Sequence, residues 1–108
     1  MEPMNQQSHL WFLNNINLQN VFPPIINDAK VIFNRYKFDC KKKNMTARVI
    51  CNINVKEEAI RLNVNDDNVI RKVREIVWRS SSPLDKQMCK EVSNAVISLI
   101  RDKFPGRE

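Results

Sequence analysis

The stretch from Ser80 to Phe104, SSSPLDKQMCKEVSNAVISLIRDKF, constrains the fold more than any other because it is both capped and periodic. Ser82 stands one residue before Pro83 and three before Asp85. Its hydroxyl can accept an orphan N–H of a first helical turn, Asp85 can reach back, and Pro83 brings a preset φ where no donor is needed. Leu84, Met88, Val92, Ala95, Val96, Leu99 and Ile100 then recur at spacings of three and four, which lays an apolar stripe along one face of a helix. That face must be buried. Pro105-Gly106 stops the element, Pro by lacking a donor and Gly by tolerating the left-handed terminal geometry.

A second helix precedes it. Asn65-Asp66-Asp67 supplies caps and first-turn acids for a helix running to about Arg79, with Val69, Ile70, Val73, Ile76 and Val77 as its buried face and Trp78 at the edge. Arg71–Glu75 and Glu75–Arg79 are spaced for i,i+4 ion pairs on the polar side. Ser80-Ser81-Ser82 turns the chain between the two helices, whose stripes are expected to face one another or to lie side by side on a sheet.

The sheet is expected upstream. Ala47, Val49, Cys51, Ile53 and Val55 alternate against Thr46, Arg48, Ile50, Asn52 and Asn54, and period two is the mark of a strand. Lys41-Lys42-Lys43-Asn44 then reads as the turn of a hairpin with Tyr36–Cys40, and Lys56-Glu57-Glu58 as a second turn leading to a short strand through Ala59, Ile60, Leu62 and Val64. Pro24 to about Asn34 leans to a helix, with a strand as the alternative. The fold class read from these patterns is α+β: a small antiparallel sheet of two or three strands packed against a C-terminal helical hairpin, with an extended N-terminal arm.

At 108 residues the chain is expected to form a single domain over 24–108, preceded by an arm over 1–23. Cys40, Cys51 and Cys89 are odd in number, and no charged n-region with an apolar h-region opens the chain; the expected setting is reduced and intracellular, in cytoplasm or nucleus. No apolar run approaches the roughly 18 residues of a membrane span.

Few residues offer chemistry. The single glycine, Gly106, excludes a glycine-rich phosphate loop, and the single histidine, His9, has only Glu2 as a nearby acid. The cysteines are too widely spaced for a zinc knuckle, and Asp66-Asp67 is accounted for by capping. The expectation is a protein that is not an enzyme, with no cofactor, no metal and no small-molecule substrate.

Two binding functions remain. The first is a protein–protein interaction module, a subunit or adaptor that dimerises or binds a partner. Its contacts would come from the final helix, where the apolar arc from Cys89 through Val96 and Ile100 to Ile97 is wider than one packing face requires, and where Phe104 closes the element. Trp11, Phe12 and Leu13 of the arm either add an aromatic anchor for the partner or cover the open side of their own core. The second function is nucleic-acid binding. Between Lys30 and Arg48 seven basic residues face one acid, and Lys41, Lys42 and Lys43 at a hairpin tip, supported by Arg35, Lys37 and Arg48, can follow a phosphate backbone while Tyr36 or Phe38 offers a stacking surface.

Overall fold

The computed structural model describes residues 8–24, 26–42 and 45–103, with the side chains of 36–42 and of Lys103 excepted. Its regular structure is helical: α1 (His9–Asn15), a 3₁₀ turn (Leu18–Asn20), α2 (Ala29–Lys42), α3 (Ala47–Arg61), α4 (Asp67–Ser80) and α5 (Pro83–Lys103). No strand occurs among the described residues, so the α+β expectation is overturned. The fold is an all-α bundle.

The helix starts are set locally. The Trp11 N–H donates to Ser8 Oγ at 3.0 Å, and the Lys30 N–H donates to Asp28 Oδ1 at 2.8 Å. The Val49 N–H reaches Thr46 Oγ1 at 3.3 Å, and the Asn68 and Val69 N–H groups share Asp66 Oδ1 at 2.9 and 3.3 Å. At α5 the box is reciprocal: the Asp85 N–H donates to Ser82 Oγ at 3.0 Å and the Ser82 N–H to Asp85 Oδ2 at 3.2 Å. Each cap satisfies donors that a first turn leaves without intrahelical partners.

The end of α3 is equally specific. Asn63 takes φ 61°, the left-handed region that asparagine tolerates better than most residues. Its N–H donates to Ile60 O at 3.1 Å and the Val64 N–H to Ala59 O at 2.8 Å, the paired bonds of a Schellman motif. Ala59 and Val64 are both buried in the core, supplying the apolar contact that accompanies it. The segment expected to be a strand through Ala59–Val64 is therefore the last turn of a helix and its cap.

Helix α3 is the centre of the bundle. α4 packs on one part of it and α5 on another, while α1 packs on α4 and α2 on α5. The helices of the C-terminal hairpin are thus joined through α3 and meet each other near their turn, where Lys86 lies over Trp78 with Nζ 5.0 Å from the ring centroid. Ile50, Cys51, Ile53, Asn54, Val55, Glu58 and Ala59 are all buried, an arc of about two-thirds of the circumference at 100° per residue. Apolar residues on so wide an arc fill both odd and even positions, and the odd set alone mimics a strand. The helical repeat was hidden as well, because two of its core positions are polar, Asn54 and Glu58.

The same correction applies upstream. Tyr36–Cys40, expected as a strand, and Lys41 and Lys42, expected as the hairpin tip, form the second half of α2, while Lys43 and Asn44 lie outside the described residues. The helix begins at Ala29, after Asp28, and not at Pro24.

Candidate functional site

The arm is held by two polar side chains one turn apart on α3. Asn54, fully buried, accepts the Ile26 N–H at Oδ1 (2.7 Å) and donates from Nδ2 to Ile26 O (3.3 Å) and Ile50 O (2.9 Å). Glu58 accepts the Asn17 N–H at Oε1 (2.7 Å) and the Asn20 side-chain amide at Oε2 (2.8 Å). Arg61 closes the carboxylate from outside with a two-pronged contact, Nε to Oε2 and Nη2 to Oε1, both 2.8 Å. The Arg61 guanidinium, assisted by the Asn17 and Asn20 donors and opposed by burial, holds the Glu58 carboxyl down at about 2. An arm with little regular structure has backbone groups to satisfy, and α3 presents an amide and a carboxylate that satisfy them.

The aromatic cluster goes inward with the arm. Phe12 is fully buried, and Trp11 and Leu13 are partly buried against the same core, with α1 seated on α4. The arm is not extended there; it forms the two turns of α1. The exposed apolar residue of this helix is Leu10.

On α5 the buried line runs through Cys89, Ser93 and Val96, with Val92, Ile97 and Ile100 partly buried beside it. Cys89 and Ser93 are small, which lets α5 approach α3 closely; Ser93 satisfies its hydroxyl by donating to Lys90 O at 2.8 Å. The face that the bundle leaves open is the neighbouring one. Leu84 is 68% exposed and Ala95 is exposed, while Met88 and Leu99 are half-covered. At 100° per residue these four fall within about 60° of one another, along some four turns of helix. Sequence periodicity did find these residues, but placed them in the core. Phe104 lies outside the described residues.

Of the candidate nucleic-acid contacts, Arg35 is exposed and pairs with Glu57 at 3.4 Å, and Arg48 is exposed and pairs with Glu75 at 3.3 Å. Tyr36, Lys37, Lys41 and Lys42 are on α2, but their side chains, like Lys43 as a whole, lie outside the described residues. The Arg48 guanidinium is directed towards α4 by its contact with Glu75. The expected Arg71–Glu75 pair is replaced by an Arg71–Asn68 hydrogen bond at 2.6 Å, while Arg79–Glu75 forms at 3.7 Å.

The Cys51 and Cys89 thiols are both fully buried. Burial pushes Cys51 up to about 12 and Cys89 up to about 11. Neither is a nucleophile at neutral pH. Among the described residues no group of three or more His, Cys, Asp or Glu side chains is arranged to hold a metal ion, and no helix is long and apolar enough to cross a membrane. No family model, curated protein or solved structure matches the chain.

Proposed function

We propose that the chain is a non-enzymatic protein-interaction module that self-associates through the outer stripe of α5. The observation that carries this reading is Leu84, 68% exposed at the head of a stripe that continues through Met88, Ala95 and Leu99. The stripe is on a well-capped helix of 21 residues whose opposite side is fixed against α3 and α2, so it is presented on a rigid element. Two copies related by a twofold axis would pair their α5 helices antiparallel, with Leu84 of one copy against Leu99 of the other. The arm takes no part in this contact, since its aromatic residues are spent on its own core. The alternative of a nucleic-acid reader built on a lysine hairpin tip loses its scaffold, because Lys41 and Lys42 end a helix.

The test is light scattering at high micromolar concentration on the wild-type chain and on Leu84→Asp/Ala95→Asp. Both positions are exposed, so the double variant should keep the helical circular-dichroism spectrum and melt close to wild type. The expected result is a dimer for the wild type and a monomer for the variant. A wild-type monomer, or a dimer indifferent to the substitutions, would overturn the reading.

A further inference from the structure

The α5 stripe leaves a second surface unused, and its character is cationic. Arg48 enters it from α3, Arg71, Arg74 and Arg79 from α4, and Lys86 from α5. Glu75 Oε2 contacts Nη2 of both Arg48, at 3.3 Å, and Arg79, at 3.7 Å, so one carboxylate holds guanidinium groups from two helices side by side. Lys86 is fixed nearby, its ammonium over Trp78 and 2.9 Å from Ser81 O. Arg71 is oriented by Asn68. The buried Cys51 thiol registers the convergence: against the larger upward effect of its burial, Arg48, Lys86 and Arg74 all pull its pKa down. Three cations from three successive helices therefore act on one point.

Of these five cations Arg48 and Arg79 contact the carboxylate of Glu75, while Arg71, Arg74 and Lys86 have no carboxylate contact among the described residues. Asp67 lies at the far end of α4, a turn beyond Arg71, and Asp85 is turned back onto the Ser82 cap. Arg48 and Arg79 remain 48% and 76% exposed despite their shared partner, which leaves their outer N–H groups to solvent.

We propose that this surface binds the phosphate backbone of a nucleic acid. Four of its five cations are guanidinium groups, whose planar donor fork fits a phosphate better than a lysine ammonium does. Arg71 and Arg79 are two turns apart, about 12 Å along the helix, a span that covers several successive phosphates of one strand. A protein or membrane partner would need an apolar centre within the charges, and of the large exposed apolar side chains among the described residues Leu10, Leu18 and Val31 lie on other elements, Ile60 is about 18 Å along α3 from Arg48, and Leu84 is about 160° around α5 from Lys86. Lys86 covers the near face of Trp78, so base stacking is not offered and sequence preference should be slight.

The experiment is fluorescence anisotropy of the full chain against a short labelled oligonucleotide, single-stranded and as a duplex, at two salt concentrations. With about four phosphates neutralised, affinity should fall about 50-fold for the single strand and about 150-fold for the duplex between roughly 50 and 200 mM salt. Arg71→Glu/Arg79→Glu should weaken binding at least about tenfold at the lower salt, and Lys30→Glu/Arg101→Glu, which changes the net charge equally on exposed residues of α2 and the C-terminal end of α5, should weaken it far less. Arg71→Gln/Arg79→Gln gives the same comparison with a milder change should the reversed pair fail to fold. No saturable binding at the lower salt would overturn the proposal. So would equal losses from the two charge-reversed pairs, which would mark an effect of net charge alone, or binding of polyglutamate as tight as that of the oligonucleotides, which would mark an acidic protein face as the partner.

Discussion

The Asn17 N–H donates to Glu58 Oε1 at 2.7 Å, joining the arm to the central helix across 41 residues of sequence. The same carboxylate takes Asn20 and Arg61, so a single buried anion fixes the start of the arm's irregular stretch and the C-terminal turn of α3. Asn54, one turn earlier on α3, fixes the end of that stretch at Ile26. The arm is therefore clipped at both ends to one face of one helix, and four predictions concern this clip and the core beneath it.

Glu58 should make the fold acid-labile in a defined window. Its folded pKa is lowered from 4.5 to about 2, so the folded state favours the carboxylate. The stabilisation is complete above the unfolded value and is lost as pH falls towards the folded one. About 2 kcal/mol should disappear between pH 7 and pH 3 through this group alone. Urea titrations at the two pH values, compared between wild type and Glu58→Gln, isolate it: the variant should be less stable at pH 7 and should lose less on acidification. Equal acid losses in the two proteins would contradict the assignment.

Asn54→Ala should destabilise the fold by about 2 kcal/mol, because it removes the acceptor for the Ile26 N–H and a donor to two carbonyls at a fully buried position. Amide hydrogen exchange gives the local signature. The Ile26 amide should be protected in the wild type and exchange much faster in the variant, with the amides of α4 little changed beyond the global loss.

Asn63 occupies a left-handed position closing α3. Asn63→Gly should be neutral or stabilising by up to about 1 kcal/mol, and Asn63→Val should destabilise by more than about 1 kcal/mol, since a β-branched side chain crowds the carbonyl at positive φ. Thermal melts of the two variants must move in this order; a valine variant as stable as the glycine variant would contradict the cap.

The buried thiols should be silent until the protein opens. In a Cys40→Ser background, Cys51 and Cys89 should react slowly with a disulfide reagent at pH 8 and rapidly in denaturant, because both are fully buried with pKa values of about 12 and about 11. The linkage has a definite sign: the folded state retains these protons, so the contribution is full below the unfolded value near 9 and is lost as pH rises above it. Rapid labelling of either thiol in native buffer would show that the α3–α5 contact is open.

The two C-terminal helices were legible without the fold, because their information is local. Ser82 and Asp85 flank one helix start, Asp66 caps the other, and a one-sided apolar stripe such as Val69, Ile70, Val73 and Val77 has a single helical reading. What the stripe of α5 rests on was not legible. Leu84 and Ala95 share its period with Val92 and Val96, and only the arrival of α3 on the small side chains Cys89 and Ser93 turns one edge inward and leaves the other in water. Helix α3 was the hardest to read for the opposite reason. A central helix buried over most of its circumference keeps only a narrow polar face to mark its period, and its two polar core residues, Asn54 and Glu58, resemble surface residues until the arm supplies their partners. Local hydrogen bonding and one-sided burial are determined by neighbours in sequence, whereas the cost of burying an amide and a carboxylate is met only by groups that tertiary packing brings from elsewhere in the chain.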